Sequence, residues 1–259
     1  MKPAATYFDH IILGGGIVGL SIAANLATKN KNSVLLLERR PSLLQETSSH
    51  NSGVIHAGLY YPKDSLKTKL CVEGNKWIWK NHNNNNFNAK KCGKWIIASC
   101  QEEVAKLQSL QKALEDRGMP WRWVSKQERI TKEPELECLE CLESQDTGIV
   151  DVHSLANYYE KIAFADVNNN ESVLLKNTEP IEYRIATSRQ RQGKTVLQLK
   201  LNDEQNSVVE TGCIINSTGL FASKVAQKIR EATAAATGFN SSKNEVILLR
   251  YFFRARIAL

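Results

Sequence analysis

The chain has 259 residues, 42% hydrophobic and 24% charged, a balance that supports a core of one or two ordinary domains and excludes disorder throughout. No apolar run approaches the roughly 18 residues of a spanning helix, so an integral membrane protein is not expected. The formal charge of +7 comes from Lys and Arg scattered among 27 acids with no basic block, which argues against a nucleic-acid partner.

The opening predicts strand, turn, helix, strand: His10 to Leu13, the turn Gly14 to Gly19, a helix from Leu20 to Lys29, and a strand from Ser33 to Glu38. Both strands are continuous apolar runs, as expected in a parallel sheet covered on both faces. Glu46 to Tyr61, rich in Ser, Gly, His and Asn, predicts a long irregular connection. A helix is expected from Ser65 to Asn81, and the Asn-rich stretch His82 to Asn88 reads as a polar loop tip. Lys94 to Ala98 predicts a strand, and Gln101 to Arg117 a helix ended by Gly118 and Pro120. A new segment opens at Gly148, with Asp151, His153 and Ser154 as candidate caps of a helix from Leu155 to Ala165. Asn168 to Asn170 predicts a turn. Val173 to Leu175, Ile181 to Arg184, Thr195 to Leu201 and Cys213 to Asn216 read as strands, the last feeding the turn Ser217-Thr218-Gly219.

The six cysteines (Cys71, Cys92, Cys100, Cys138, Cys141, Cys213) are too dispersed for a disulfide framework. Cys138 and Cys141 form a CxxC with no second pair at zinc spacing, so no metal is expected and the two thiols read as neighbours on a helix face. Before the first strand the only basic side chain is Lys2, so no targeting segment is visible.

Gly14, Gly16 and Gly19 have the GxGxxG spacing in its required context, a strand before and a helix after. The first glycine permits the tight turn, the second lets a pyrophosphate approach the backbone, and the third lets the helix pack on the strand. Phosphate is then stabilised by the amides and dipole of the helix N-terminus, near Ile17 and Val18. Glu38, nineteen residues after Gly19, suits the hydroxyls of a ribose, and would repel the extra phosphate of NADP despite Arg39 and Arg40 beside it. FAD or NAD is the expected ligand.

The stretch Ser49-His50-Asn51-Ser52-Gly53-Val54-Ile55-His56-Ala57-Gly58-Leu59-Tyr60-Tyr61, followed by Ser65 to Gly74, resembles the L-2-hydroxyglutarate dehydrogenase/oxidase branch of the D-amino-acid-oxidase-like FAD oxidoreductases. Lys91 to Lys94, Thr147 to Asp151 and Ile215 to Leu220 resemble it too. The resemblance implies an α/β fold: an FAD/NAD(P)-binding Rossmann-like domain from residues 1–89 and 148–226, with a smaller, discontinuous and incomplete α+β substrate domain from 90–147 and 227–259. It implies non-covalent FAD, with Gly14 to Gly19 on the pyrophosphate, Glu38 and Arg39 at the adenosine side, Ser48, Asn51, Ser52 and Gly53 over the pyrophosphate and flavin, and Thr218 and Gly219 close to the cofactor. Pro180 departs from the family pattern, since it has no N–H to offer adenine.

The implied reaction is oxidation of (S)-2-hydroxyglutarate, or a similar 2-hydroxy acid, to the 2-oxo acid, with quinone or oxygen as electron acceptor. His56 is the candidate proton acceptor, the alternative being an imidazole that only hydrogen-bonds flavin or backbone. His50 reads as structural. Lys67 and Lys69 are candidates for carboxylate binding, the alternative being a solvated helix face. Tyr60 and Tyr61 either shape the substrate side or pack in the core. Eukaryotic members of this family are mitochondrial, with a cytoplasmic location as the alternative here. Two other readings remain: a flavin-fold chain without turnover, because members continue past the point where Val246 to Arg254 begins to match, and a nicotinamide-dependent dehydrogenase, which the Asn51 to Gly58 loop disfavours.

Overall fold

The computed structural model describes residues 6–30, 32–82, 86–165, 171–187 and 192–237. In chain order the first elements are β1 (Thr6–Phe8), β2 (His10–Leu13), α1 (Ile17–Asn30), β3 (Val34–Leu37), β4 (Val54–Ile55), α2 (Leu66–Asn81) and β5 (Ala89–Lys90). There follow β6 (Lys94–Ala98), α3 (Gln101–Asp116), β7 (Trp121–Trp123), α4 (Lys126–Lys132), β8 (Glu140–Ser144), β9 (Gly148–Val150) and α5 (Val152–Phe164). The rest are β10 (Val173–Leu175), β11 (Pro180–Thr187), β12 (Thr195–Leu201), β13 (Val208–Thr211), β14 (Ile214–Asn216), a 3-10 turn at Gly219–Phe221, and α6 (Ala222–Thr237).

The described residues divide into two compact units, 6–51 with 156–237, and 52–155. The expected boundaries at 89/90 and 147/148 fall inside the second unit, because β4 and β5 both pair with β9 and tie residues 54–90 to 148–150. Residues 227–237 belong to α6 of the first unit. The Asn168 to Asn170 turn and the Val246 to Arg254 stretch lie outside the described residues, as does most of the Asn run after His82.

In the first unit β10, β3, β2 and β14 form a parallel sheet in that order. Ile11, Leu13, Leu35 and Leu37 join one cluster with Phe8, Leu199, Val209 and Ile229, which come from the second sheet (β1-β13-β12-β11) and from α6. Strand alternation turns Ile12 and Leu36 to the opposite face, where α1 packs with buried Leu20, Ala23 and Ala27. Cover on both faces explains why β2 and β3 read as continuous apolar runs. Helix α1 starts at Ile17 rather than Leu20, because the third fingerprint glycine lies within its first turn.

In the second unit two antiparallel three-stranded sheets, β4-β9-β5 and β6-β8-β7, accompany a cluster of Ala57, Leu59, Ala98, Leu107, Leu114, Met119 and Leu142. Ser65 caps α2 by accepting from the Thr68 amide at 3.1 Å. Asp151 caps α5, accepting from His153 and Ser154 amides at 3.0 and 3.3 Å. The expectation of helix-face thiols for Cys138 and Cys141 is wrong: Cys141 is buried in β8, the central strand of its sheet, and Cys138 sits just before it. Burial pushes the Cys141 thiol up to about 11.

Arg122 on β7 grips Glu128 of α4 with two hydrogen bonds of 2.6 and 2.7 Å and also pairs with Glu143 on β8. The Arg122 fork, seconded by Lys132, holds the Glu128 carboxyl at about 2. A carboxyl titration followed by NMR is expected to find that midpoint, and Arg122→Ala to move it up toward the ordinary range; an unmoved midpoint would show that the fork is absent in solution. Among the described residues no helix is long and apolar enough to cross a membrane.

Candidate functional site

The turn between β2 and α1 is fixed by backbone. Gly14 has φ +104°, its N–H donates to Leu37 O at 2.8 Å, and a Cβ on it would lie 2.7 Å from Ser217 O. A Cβ on Gly19 would lie 2.1 Å from Gly14 O and 2.8 Å from Ser217 Oγ. These two glycines are demanded by the protein's own packing. Gly16 is different: its Cβ would meet only Ser48 Oγ, at 3.0 Å. Ser48 Oγ also accepts from the Ile17 amide at 3.1 Å, so one of the unpaired N–H groups of the α1 start is held by a side chain that a ligand oxygen can replace.

Glu38 leaves the end of β3 only 9% exposed. Its two carboxylate oxygens accept from the Gly15 amide at 2.7 Å and the Arg40 amide at 2.8 Å. Each oxygen keeps a second lone pair for a hydroxyl. Arg39 and Arg40 both turn to Glu46, at 2.8 and 2.9 Å, and these hydrogen bonds hold the Glu46 carboxyl below its usual range. The Arg39 guanidinium also lies 3.8 Å over the Phe221 ring. His50 is local, its Nδ1 2.8 Å from Glu46 O and 3.1 Å from Ser49 Oγ.

A cavity wholly within the first unit brings these groups together. Gly14, Gly16, Glu38, Arg39, Ser48, Thr218 and Gly219 line it, with Pro180, Tyr183 and Phe221 as its apolar wall. Thr218 is held by Asn216 Oδ1, which accepts from its hydroxyl at 2.7 Å, and Gly219, with φ +54°, has no atom within 4 Å of a Cβ. Of the remaining sequence candidates, Ile17, Val18, Gly19, Asn51, Ser52 and Gly53 do not line this cavity. Asn51 folds back on Thr47 and Ser48 carbonyls. Gly53, φ +61°, belongs to the second unit, where its Cβ would lie 2.6 Å from Val150 O and its carbonyl accepts from the Val150 amide at 2.8 Å. A glycine that leaves room, a carboxylate with spare lone pairs and an aromatic wall fit a phosphate, a ribose and a flat heterocycle in sequence. Pro180 contributes to the wall as apolar surface, which needs no N–H.

His56 follows β4 in the second unit, half-buried, with its carbonyl 3.4 Å from the buried Asn75 side chain. Asn75 also donates to Asp146 O at 2.9 Å, and Trp79 Nε1 donates to the same carbonyl at 2.8 Å, so Asn75 ties the His56 backbone to the turn between β8 and β9. Burial first, then the charges of Lys94 and Lys67, push the His56 imidazole below its usual value. At neutral pH it is therefore uncharged and has a ring nitrogen able to take a proton. Lys67 lies over the Tyr61 ring at 4.1 Å and Lys94 over the Tyr60 ring at 4.7 Å. Tyr60 is 56% exposed and is no core aromatic. Arg117 fixes this loop by donating to Leu59 and Tyr61 carbonyls at 3.3 and 3.2 Å. Lys94 escaped sequence reading because, as the first residue of β6, nothing local links it to His56; Lys69, the other sequence candidate, does not act on the imidazole.

A family model described as FAD dependent oxidoreductase matches residues 9–252. Mitochondrial L-2-hydroxyglutarate dehydrogenase of Bos taurus is 31% identical, covering 87% of this chain and 49% of that protein. The Homo sapiens protein of the same name is 32% identical over 85% of this chain and 48% of its own length, and that of Arabidopsis thaliana 30% over 85% and 49%. The chain spans about half the length of the curated relatives it matches. Among solved structures, FAD-bound L-alpha-glycerophosphate oxidase from Mycoplasma pneumoniae superposes with a TM-score of 0.72 at 24% identity, covering 86% of this chain and 57% of that one. Glycine oxidase from Geobacillus kaustophilus gives 0.69 at 18% identity, covering 87% and 59%. These two likenesses show the fold.

Proposed function

The chain belongs to the FAD-dependent oxidoreductase family, and from that premise we propose that it binds FAD and takes part in oxidising (S)-2-hydroxyglutarate, or a similar 2-hydroxy acid, to the 2-oxo acid. The observation that carries the reading is the cavity in which Glu38 offers a buried carboxylate and Gly16 leaves room beside the start of α1. The substrate rests on the likeness to the L-2-hydroxyglutarate dehydrogenases.

In this reading the first unit, residues 6–51 and 156–237, carries the adenosine and pyrophosphate of the flavin, and residues 90–147 contribute to the substrate side. Gly14, Gly16 and Gly19 shape the pyrophosphate turn, with the Ile17 and Val18 amides turned to phosphate oxygens once Ser48 yields. Glu38 accepts from the ribose hydroxyls, and Arg39 with Phe221 bounds the adenine end. Asn51, Ser52, Gly53, Thr218 and Gly219 border the flavin side. FAD, when bound, would supply a two-electron acceptor for oxidation at C2 of the substrate. His56 takes the hydroxyl proton, for which burial and two neighbouring ammonium groups keep it uncharged. Quinone or oxygen would serve as the final electron acceptor, and a mitochondrial location follows the named relatives.

The test is the absorbance of the purified chain. A yellow protein bleached anaerobically by (S)-2-hydroxyglutarate supports the reading; a folded, colourless protein that FAD does not saturate, or turnover that requires NAD, overturns it. Glu38→Ala is expected to weaken FAD by about tenfold or more, since hydrogen bonds to a charged group contribute about 1.5–3 kcal/mol, and equilibrium titration of flavin fluorescence measures it. Undiminished affinity would remove Glu38 from the site.

A further inference from the structure

Arg129 of α4 is only 8% exposed, yet among the described residues no carboxylate lies within ion-pair distance of it. The acids of the neighbouring elements are engaged elsewhere, Glu128 with Arg122 and Lys132, and Glu143 with Arg122. Arg129 Nη1 instead donates to two atoms of one residue, Cys138 O at 2.8 Å and Cys138 Sγ at 2.9 Å. Its Nε is buried and has no partner. A buried guanidinium without a counter-ion is costly, and the atom in its hydrogen-bonding reach that can carry negative charge is the Cys138 sulfur. A neutral thiol is a weak acceptor and an anionic group a strong one. The guanidinium therefore favours chemistry that puts negative charge on this sulfur.

We propose that Cys138 is a modification site, a half-buried thiol set on the Arg129 guanidinium for two-electron oxidation by a hydroperoxide to the sulfenic acid. The sulfur lone pair attacks one peroxide oxygen, and the O–O bond breaks as the S–O bond forms. The departing hydroxide takes the thiol proton, giving sulfenic acid and water; sulfur loses two electrons and the peroxide gains them. Cys141, three residues on, is fully buried, and burial pushes its thiol up to about 11, which keeps it protonated and a poor nucleophile toward the oxidised sulfur. Recovery falls to small external thiols, one forming a mixed disulfide with loss of water and a second releasing Cys138. Exposed Glu137 and Glu140 flank the site in sequence, within the roughly 8 Å over which surface charge acts at physiological salt, and favour an uncharged oxidant over an anionic disulfide. The oxidation needs no flavin and is independent of whether the chain turns over a 2-hydroxy acid.

The experiment is quantitative peptide mass spectrometry of the folded 259-residue chain, first alkylated with iodoacetamide at neutral pH and separately treated with hydrogen peroxide in the presence of dimedone. Cys92 and Cys100 are free and more exposed than Cys138, so they are the internal controls. Cys138 is expected to react with both reagents about tenfold or more faster than Cys100, since an ordinary thiol is only a few per cent ionised at neutral pH, and faster in the folded chain than in urea. Dithiothreitol should return the oxidised residue to the thiol. Arg129→Gln is expected to slow Cys138 to the rate of Cys100 without changing Cys92 or Cys100, and Arg129→Lys, which keeps the charge, to retain part of the advantage. Should Arg129→Gln fail to fold, the comparison of Cys138 in folded and urea-unfolded parent decides. A Cys138 that reacts no faster than Cys100, that reacts faster in urea, or that keeps its rate in Arg129→Gln overturns the proposal.

Discussion

Gly19→Ala is expected to give a chain that folds poorly and retains no flavin. The added Cβ would lie 2.1 Å from the Gly14 carbonyl oxygen and 2.8 Å from Ser217 Oγ. Neither neighbour can yield cheaply. The Gly14 amide is bonded to Leu37 O, and Ser217 Oγ donates to Leu13 O at 2.8 Å, so the clash is against the ends of β2 and β3 themselves. Relief requires α1 to lift off the sheet, at the cost of its buried alanines. Overpacking in a well-filled core costs about 1–3 kcal/mol, and a backbone obstacle puts this position at the upper end. Gly16→Ala provides the contrast, since only the rotatable Ser48 hydroxyl stands near its Cβ. That variant should unfold at nearly the parent's urea midpoint while its FAD affinity falls by at least about tenfold, because the methyl group occupies the approach of the phosphate. Urea unfolding and flavin titration on both variants decide the matter. If both lose stability equally, Gly16 is a packing glycine, and the space beside it is not kept for a ligand.

His56→Ala is expected to slow anaerobic bleaching of the flavin by (S)-2-hydroxyglutarate by about a hundredfold or more, the usual contribution of a positioned general base. Flavin content should stay near the parent's, since His56 lies outside the cavity of the first unit. The pH profile carries an independent signature. Burial, then Lys94 and Lys67, depress the imidazole, so the rate should rise with pH through a midpoint below the ordinary histidine value and level off before neutrality. Lys94→Gln removes one of the two repulsions but leaves the larger desolvation in place, so it should move that midpoint only part of the way up. Stopped-flow absorbance across pH measures both. An unchanged rate in His56→Ala would remove the residue from proton transfer and leave it as a hydrogen-bonding imidazole.

Much of the flavin-side cavity could be read from the chain because its parts are local. Gly14, Gly16 and Gly19 fall within six residues at one strand-to-helix turn, and the parallel strand that follows returns Glu38 to the same end of the sheet. The elements found correctly have strong periodicity or clean caps, such as α2 behind Ser65 and β6 at Lys94–Ala98. Those overlooked lack such signals. β8 carries two apolar residues among five, and its two glutamates, Glu140 and Glu143, mask a central strand. α6 follows a turn with no capping side chain at its start, and its apolar stripe on the first unit's core is short, Ile229 with the partly buried Val225 and Ala232.

Sequence alone determined the fold class, the family and the position of the pyrophosphate turn, because glycine spacing and continuous apolar strands leave few ways to fold. Tertiary structure alone decided which glycine keeps space open, since Gly14 and Gly19 are filled by backbone from Ser217 and Gly14 while Gly16 is not. It likewise decided which lysines act on His56. Lys67 lies eleven residues from the imidazole and Lys94 thirty-eight, while Lys69, closer in sequence than Lys94, does not act on it. Charge acts through space over a few ångströms, and the pairing of β6 with β8, not distance along the chain, fixes where Lys94 stands.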